Sequence, residues 1–170
     1  MVKRILIFSL LFVVLGCFTL KTEYGNRRFK TSYFKIKQNS NNDVYKYVDT
    51  NVVYKLISLK HNGLVTPNYN YRKYFLKFYD KGRVGKFDIF DINDNNCINP
   101  KKADMGFYNF NDGILQVEFY HIHPQGNFFH IDSMKLFKDS IVEYDDKFKE
   151  EAIHIKILIP KEWKRYKPDW

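Results

Sequence analysis

Between Gly106 and Phe119 the apolar residues Tyr108, Phe110, Leu115, Val117 and Phe119 alternate with Asn109, Gln116 and Glu118, and the phase survives the turn at Asp112-Gly113. A period of two belongs to strands, whose successive side chains point to opposite faces. Asp-Gly supplies the positive backbone angles that a two-residue hairpin needs. The turn therefore pairs Phe110 with Leu115, Tyr108 with Val117 and Gly106 with Phe119, and their shared face points inward. A second reversal at Pro124-Gln125-Gly126-Asn127 places Phe119 opposite Asp132, Val117 opposite Met134 and Leu115 opposite Leu136. On the other face it sets Gln116 against Lys135 and Glu118 against Ser133. A third, at Lys138-Asp139-Ser140, sets Leu136 beside Val142 and Lys135 beside Glu143. A slip of one residue would expose every apolar side chain, so agreement between turns constrains the fold strongly. At Asp80-Lys81-Gly82 a two-residue and a bulged turn both remain open.

The same short alternating runs, split by turn residues, recur along the chain at 44–48, 52–61, 71–79, 83–90, 104–110, 114–122, 128–137, 140–145 and 152–159. No segment of comparable length has a helical period. With 16 Phe and 13 Tyr among 170 residues, the composition suits half-buried pleated surfaces, and the length suits one domain with one core. The fold class is all-β. Sequential antiparallel strands must hide their edges, and closure into an up-and-down barrel of about eight strands does so; a β-sandwich is the alternative. The motifs Phe78-Tyr79-Asp80-Lys81-Gly82-Arg83-Val84, Gly106 to Ile114, Lys138-Asp139-Ser140-Ile141 and Tyr166-Lys167-Pro168-Asp169-Trp170, in that order and spacing, resemble a group of small bacterial envelope lipoproteins with a lipocalin-like barrel. The Gly-x-Trp signature of true lipocalins is absent, and the resemblance implies no catalytic residues.

Met1-Val2-Lys3-Arg4 is a cationic start and Ile5 to Leu15 an apolar run, the pattern of a secretory leader. A spanning helix needs about 20 apolar residues, and this run ends at Gly16-Cys17. Val14-Leu15-Gly16-Cys17 resembles the bacterial lipobox, which implies cleavage after Gly16 and acylation of Cys17; ordinary secretion with another cleavage site is the alternative. The chain then divides into a lipoprotein signal peptide (1–16), a lipidated N-terminus and flexible tether (17–43) whose short alternating piece Tyr33 to Lys37 could add an edge strand, the barrel (44–159) and a basic aromatic tail (160–170). The expected location is the bacterial cell envelope, on a membrane through the lipid. With Cys17 acylated, Cys97 has no disulfide partner within the chain, and no neighbouring His, Lys or Arg argues for a reactive thiolate.

The inward residues Tyr108, Phe110, Leu115, Val117, Phe119, Met134 and Leu136 are the candidate lining of a ligand cavity. His121, opposite His130 and Asp104 in these registers, with His123 two residues on and Asp132 diagonal, forms a polar rim or a divalent-metal site. Nothing beside it supplies a nucleophile, so no enzymatic activity is expected. Asp91-Ile92-Asn93-Asp94-Asn95 imitates a calcium loop but has Asn96 at the sixth place and Lys102 at the twelfth, and reads as an Asx-rich connection. In the tail, Trp163 and Trp170 either meet a lipid interface or cover one end of the barrel. The formal charge of +9, or +7 once Lys3 and Arg4 leave with the leader, suits an anionic envelope partner, while an exported chain without a recognition motif is not expected to bind nucleic acid. The expected function is a non-catalytic binding module for a small amphipathic ligand. The alternatives are a solid barrel docking an envelope protein and, more weakly, a histidine-based metal binder.

Overall fold

The computed structural model describes residues 20–37, 42–66, 74–88, 91, 93–121, 126–145 and 149–170. The described chain opens with a hairpin, β1 (Leu20–Lys21) and β2 (Arg27–Arg28). Then follow β3 (Val52–His61), β4 (Leu64–Val65), β5 (Phe75–Tyr79), β6 (Arg83–Phe87) and β7 (Asp104–Asn111). The last four strands are β8 (Ile114–His121), β9 (Phe128–Leu136), β10 (Ser140–Asp145) and β11 (Glu150–Leu158). Setting aside β4, which pairs with β3 outside the ring, every strand from β3 onward pairs antiparallel with its sequence neighbours, and β11 closes on β3. The result is a closed up-and-down barrel of eight strands, as expected, and not the alternative sandwich. No helix of the described residues is long and apolar enough to cross a membrane.

The Asp112-Gly113 hairpin has the register deduced from its turn, with Phe110 opposite Leu115, Tyr108 opposite Val117 and Gly106 opposite Phe119. Both turn residues take positive φ, 51° and 79°, as the strand twist demands. At the undecided turn, Tyr79 faces Arg83 and the connection is three residues long, with Lys81 and Gly82 both left-handed at φ 60° and 70°.

Two registers differ from the sequence reading. Between β8 and β9, Phe119 faces His130, Val117 faces Asp132, Leu115 faces Met134, Gln116 faces Ser133 and Glu118 faces Ile131, a shift of two residues. Pairing ends at His121 and Phe128, whose rings stack at 5.7 Å, so the connection spans 122–127, two residues more than the turn residues suggested. A two-residue shift leaves every side chain on its expected face. Between β9 and β10 the shift is one residue: Leu136 faces Ile141, and Lys135 faces Val142. Phe137 N–H donates to the Ser140 carbonyl at 2.9 Å and tightens this turn, which makes Ile141 the inward residue.

The candidate strand 44–48 is instead a 3-10 turn over Asn42–Lys46. Val48 N–H bonds the Val44 carbonyl at 2.8 Å, and Lys46 pairs with Asp43 at 2.7 Å. The two valines, four apart, thus share one side and plug the barrel end among Val52, Tyr54, Phe110 and Leu115. The segment read as a tether is ordered where described. Residues 20–37 run over the outside of the barrel as a strap, with Phe34 1% exposed and its ring 4.8 Å from Phe107. Ile36 N–H donates to the fully buried Glu118 carboxylate at 2.8 Å. In the tail Trp163 is 1% exposed and joins Val53, Phe75, Phe87 and Ile98 in a second core on the outer face of β3, β5 and β6.

Candidate functional site

The two ends of the barrel are built differently. Tight connections at 80–82, 112–113 and 137–139 close one end. Longer ones, 62–74, 88–103, 122–127 and 146–149, join the strands at the other. Inward positions change character along the same axis. Toward the tight turns they are Tyr54, Phe78, Tyr108, Leu115, Met134 and Ile141, all buried in one cluster. Their phenols are satisfied locally, Tyr108 Oη donating to the Tyr79 carbonyl at 2.7 Å and Tyr54 Oη accepting from Asp49 N–H at 2.9 Å. Burial pushes the Tyr54 hydroxyl up to about 12, against a lowering by its hydrogen bond from Asp49.

Toward the long loops the same parity carries Lys86, Asp104, His121, His130, Asp132, Glu143 and His154. Glu143 is the hub. Its Oε2 lies 3.2 Å from Nε2 of the fully buried His154 and accepts from the Tyr74 hydroxyl at 2.9 Å. Burial alone would raise this carboxyl, but the bonds from His154 and Tyr74 and the charge of Lys86 outweigh burial and hold it below its ordinary value. Lys86 Nζ sits 4.4 Å over the Tyr74 ring. Asp132, 3.2 Å from His130 Nε2, moves the opposite way. Burial, then the negative charges of Glu143 and Asp145, push its carboxyl up to about 7 despite Lys86. His121 is pushed down to about 4 by burial and by the charges of Lys86 and His130, and its Nε2 is buried with no hydrogen-bond partner among the described residues. The surroundings thus shift the two carboxyls in opposite directions.

A cavity of about 560 Å³ opens beside this cluster. The strap hairpin walls it with Tyr24, Arg27 and Phe29, and the barrel with Lys86, Asp104, Phe119, Tyr120 and His121. The hairpin is fastened there by Thr22 Oγ1 donating to the Lys101 carbonyl at 2.7 Å and by Asn26 Nδ2 donating to Asp104 at 3.2 Å. Phe29 stands 4.3 Å from the Tyr120 ring. The site thus combines an aromatic wall with a few convergent polar groups, as small-molecule sites do.

Of the residues assigned to a cavity from the sequence, Phe119 alone borders this one. Tyr108, Phe110, Leu115, Val117 and Met134 point inward as expected but fill the interior, with Leu136 packed against them. The rim residues converge in part. His121 and His130 meet with ring centroids 5.7 Å apart, diagonally rather than opposite each other, and Asp104 shares the cavity wall with His121. His123 lies outside the described residues, as do Cys17 and the leader. No three His, Cys, Asp or Glu side chains among the described residues converge closely enough to hold an ion, and His123, one of the candidate ligands, is not among them. The loop at 91–99 is the Asx-rich connection expected, with Asn93 N–H on Asp91 at 2.9 Å and Asn96 N–H on Asp94 at 2.8 Å. Cys97 is buried in the second core, and burial raises its thiol.

Sequence reasoning missed Tyr74, Lys86, Glu143 and His154, and the strap's part in the site. His154 alternates in phase with Ala152, but Ile153, Ile155 and Ile157 occupy the other phase, so period alone could not tell which face was inside. The signal available was His154 and Glu143 on adjoining predicted strands. No protein-family model matches the chain, and no curated protein or solved structure matches it either.

Proposed function

We propose that this protein is a non-catalytic binding module of the bacterial cell envelope, held to a membrane by an acylated Cys17, which takes a small amphipathic ligand at the polar end of its barrel. The cavity of about 560 Å³ between the strap hairpin and the barrel carries this reading, since drug-sized ligands occupy roughly 300–1,000 Å³. The aromatic wall of Phe29, Phe119 and Tyr120 suits an apolar body, and Lys86, Asp104, Arg27 and His121 suit a polar head. The lipobox-like Val14-Leu15-Gly16-Cys17 supports the anchor, and the barrel agrees with the resemblance to small envelope lipoproteins.

The packed apolar interior favours a second reading, a solid barrel that docks an envelope protein through its outside. Titration with the fluorescent anionic amphiphile 11-(dansylamino)undecanoic acid separates the two. A ligand module binds it saturably and loses about tenfold in affinity with Lys86→Glu, roughly 1.4 kcal/mol. Absence of saturable binding by folded protein assigns the chain to the second reading. Mass spectrometry of membrane-extracted protein tests the anchor, which requires a chain beginning at an acylated Cys17.

A further inference from the structure

The positive charge of this chain is segregated. The strap, 20–37, carries Lys21, Arg27, Arg28, Lys30, Lys35 and Lys37 against Glu23, and the tail, 160–170, carries Lys161, Lys164, Arg165 and Lys167 against Glu162 and Asp169. Together they account for seven of the nine net charges and Lys3 with Arg4 for the other two, so the chain from 38 to 159 is neutral. The fold brings these two ends of the sequence side by side. Arg28 pairs with Asp169 at 3.0 Å and stacks its guanidinium 4.9 Å from the Trp170 ring. Trp170 packs against the cluster of Phe34, Met105 and Phe107 under the strap.

We infer that strap and tail form one basic flank that lies on an anionic lipid surface and brings the cavity walled by the hairpin next to the bilayer. Apolar and amphipathic side chains stand out of this flank, Leu20 at 73%, Tyr24 at 46% and Tyr33 at 58% exposure, whereas Trp163 is committed to the second core. Tyrosine is suited to the headgroup layer, with its ring toward the acyl chains and its hydroxyl in water. The inference rests on the proposed anchor in one respect. Two residues, Phe18 and Thr19, separate Cys17 from Leu20, three Cα steps that reach at most about 10 Å, which is about one Debye length at 0.1 M salt. An acylated Cys17 therefore holds the start of the strap where lysine and arginine feel the surface potential of acidic lipids. That reach selects a membrane over nucleic acid, which would also suit a basic surface with aromatics.

The test uses lipidated full-length protein in vesicles of phosphatidylcholine, alone or with phosphatidylglycerol, carrying a fluorophore at Tyr33→Cys or, on the turn after β9, at Phe137→Cys. Cys97, being buried, stays unlabelled. With headgroup-nitroxide lipids, the label at 33 is quenched several-fold more than the label at 137 in the anionic vesicles. The difference collapses in phosphatidylcholine or when salt is raised to about 1 M, where screening falls to about 3 Å. The quadruple variant Lys161→Glu, Lys164→Glu, Arg165→Glu, Lys167→Glu still floats with the vesicles but loses the difference, with unchanged Trp fluorescence showing that Trp163 remains buried. Equal quenching at both labels, or a difference indifferent to lipid charge, overturns the flank while leaving the anchor intact. An unmodified Cys17 in the same preparation overturns the anchor and the reach argument with it. Preferential binding of a duplex oligonucleotide over the anionic vesicles reassigns the flank and overturns the proposal.

Discussion

The tight-turned end of the barrel and the long-looped end share the same strands and the same inward parity, yet one is a filled core and the other a set of interacting charges beside a cavity. At the first, Tyr54, Phe78, Tyr108 and Leu115 interlock, with Phe78 ring centroids 5.4 and 5.1 Å from Tyr54 and Tyr108. At the second, Glu143 bonds His154 at 3.2 Å, Asp132 bonds His130 at 3.2 Å, and His121 and Lys86 stand beside them. Stability is concentrated where the polar groups are a few locally satisfied phenols, and responsiveness where several ionisable groups face one another. A barrel that keeps ionisable groups inside at one end retains the capacity to recognise a polar ligand there, at the expense of the packing energy those positions would give.

Truncations at the two ends should differ most. Phe78→Ala removes a fully buried ring and is expected to cost about 3–5 kcal/mol in equilibrium urea unfolding. Phe128→Ala, at the mouth and 47% exposed, should cost under about 1 kcal/mol; equal losses would erase the distinction. Glu143→Ala leaves the fully buried His154 and the Tyr74 hydroxyl without their shared acceptor and should cost about 2–4 kcal/mol at neutral pH. Because the Glu143 carboxyl is lowered, its contribution is present above its unfolded value and is lost as pH falls through the folded one, so the gap between wild type and variant should shrink in acid.

Gly106→Ala sharpens the comparison at its midpoint. A Cβ there would stand 2.6 Å from the Phe119 ring and 2.8 Å from the Glu118 carbonyl, so a loss of about 1–3 kcal/mol and weakened probe binding are expected. Asp132→Asn should act in the opposite direction. The folded state holds the Asp132 proton up to about 7 against an ordinary 3.8, so the native state binds more protons than the unfolded chain across that window and this residue lowers stability as pH rises through it. The amide should therefore gain about 1–3 kcal/mol above neutrality and nothing below about pH 4. His121, lowered to about 4 from 6.5, acts with the opposite sign and adds stability between those values as pH rises. The smallest effect concerns Cys97, whose buried, raised thiol should resist a disulfide reagent in the native protein and react only after unfolding.

The sequence made the fold legible wherever one face was apolar and the other wet. The Asp112-Gly113 hairpin was readable to the residue pair because the turn type fixes loop length. The β8–β9 register was readable only to parity, because alternation repeats every two residues and cannot distinguish a two-residue shift. The β9–β10 shift came from the Lys138-Asp139-Ser140 connection, where Ile141 and Val142 are both apolar and either could have faced in. The strap read as a tether because Phe34 and Ile36 alternate with Lys35 and Lys37 and resemble a solvated segment until Phe107 and Phe129 are placed beneath them. Half of the charged end was legible through His121, His130, Asp104 and Asp132. Of the rest, His154 was hidden on β11, whose outer face carries Ile153, Ile155 and Ile157 and so is at least as apolar as the inner one, while Tyr74, Lys86 and Glu143 lie on or beside three other strands.

The account depends on ligand entering the long-looped end rather than the packed interior. Paramagnetic broadening of backbone amides by a nitroxide-labelled fatty acid, an amphipathic probe, locates it directly. The account predicts loss of signal at Lys86, Asp104, Phe119, Tyr120 and His121 with Phe110, Asp112, Leu115 and Met134 unaffected. Broadening centred on the Asp112-Gly113 turn, or none anywhere at saturating probe, would contradict it.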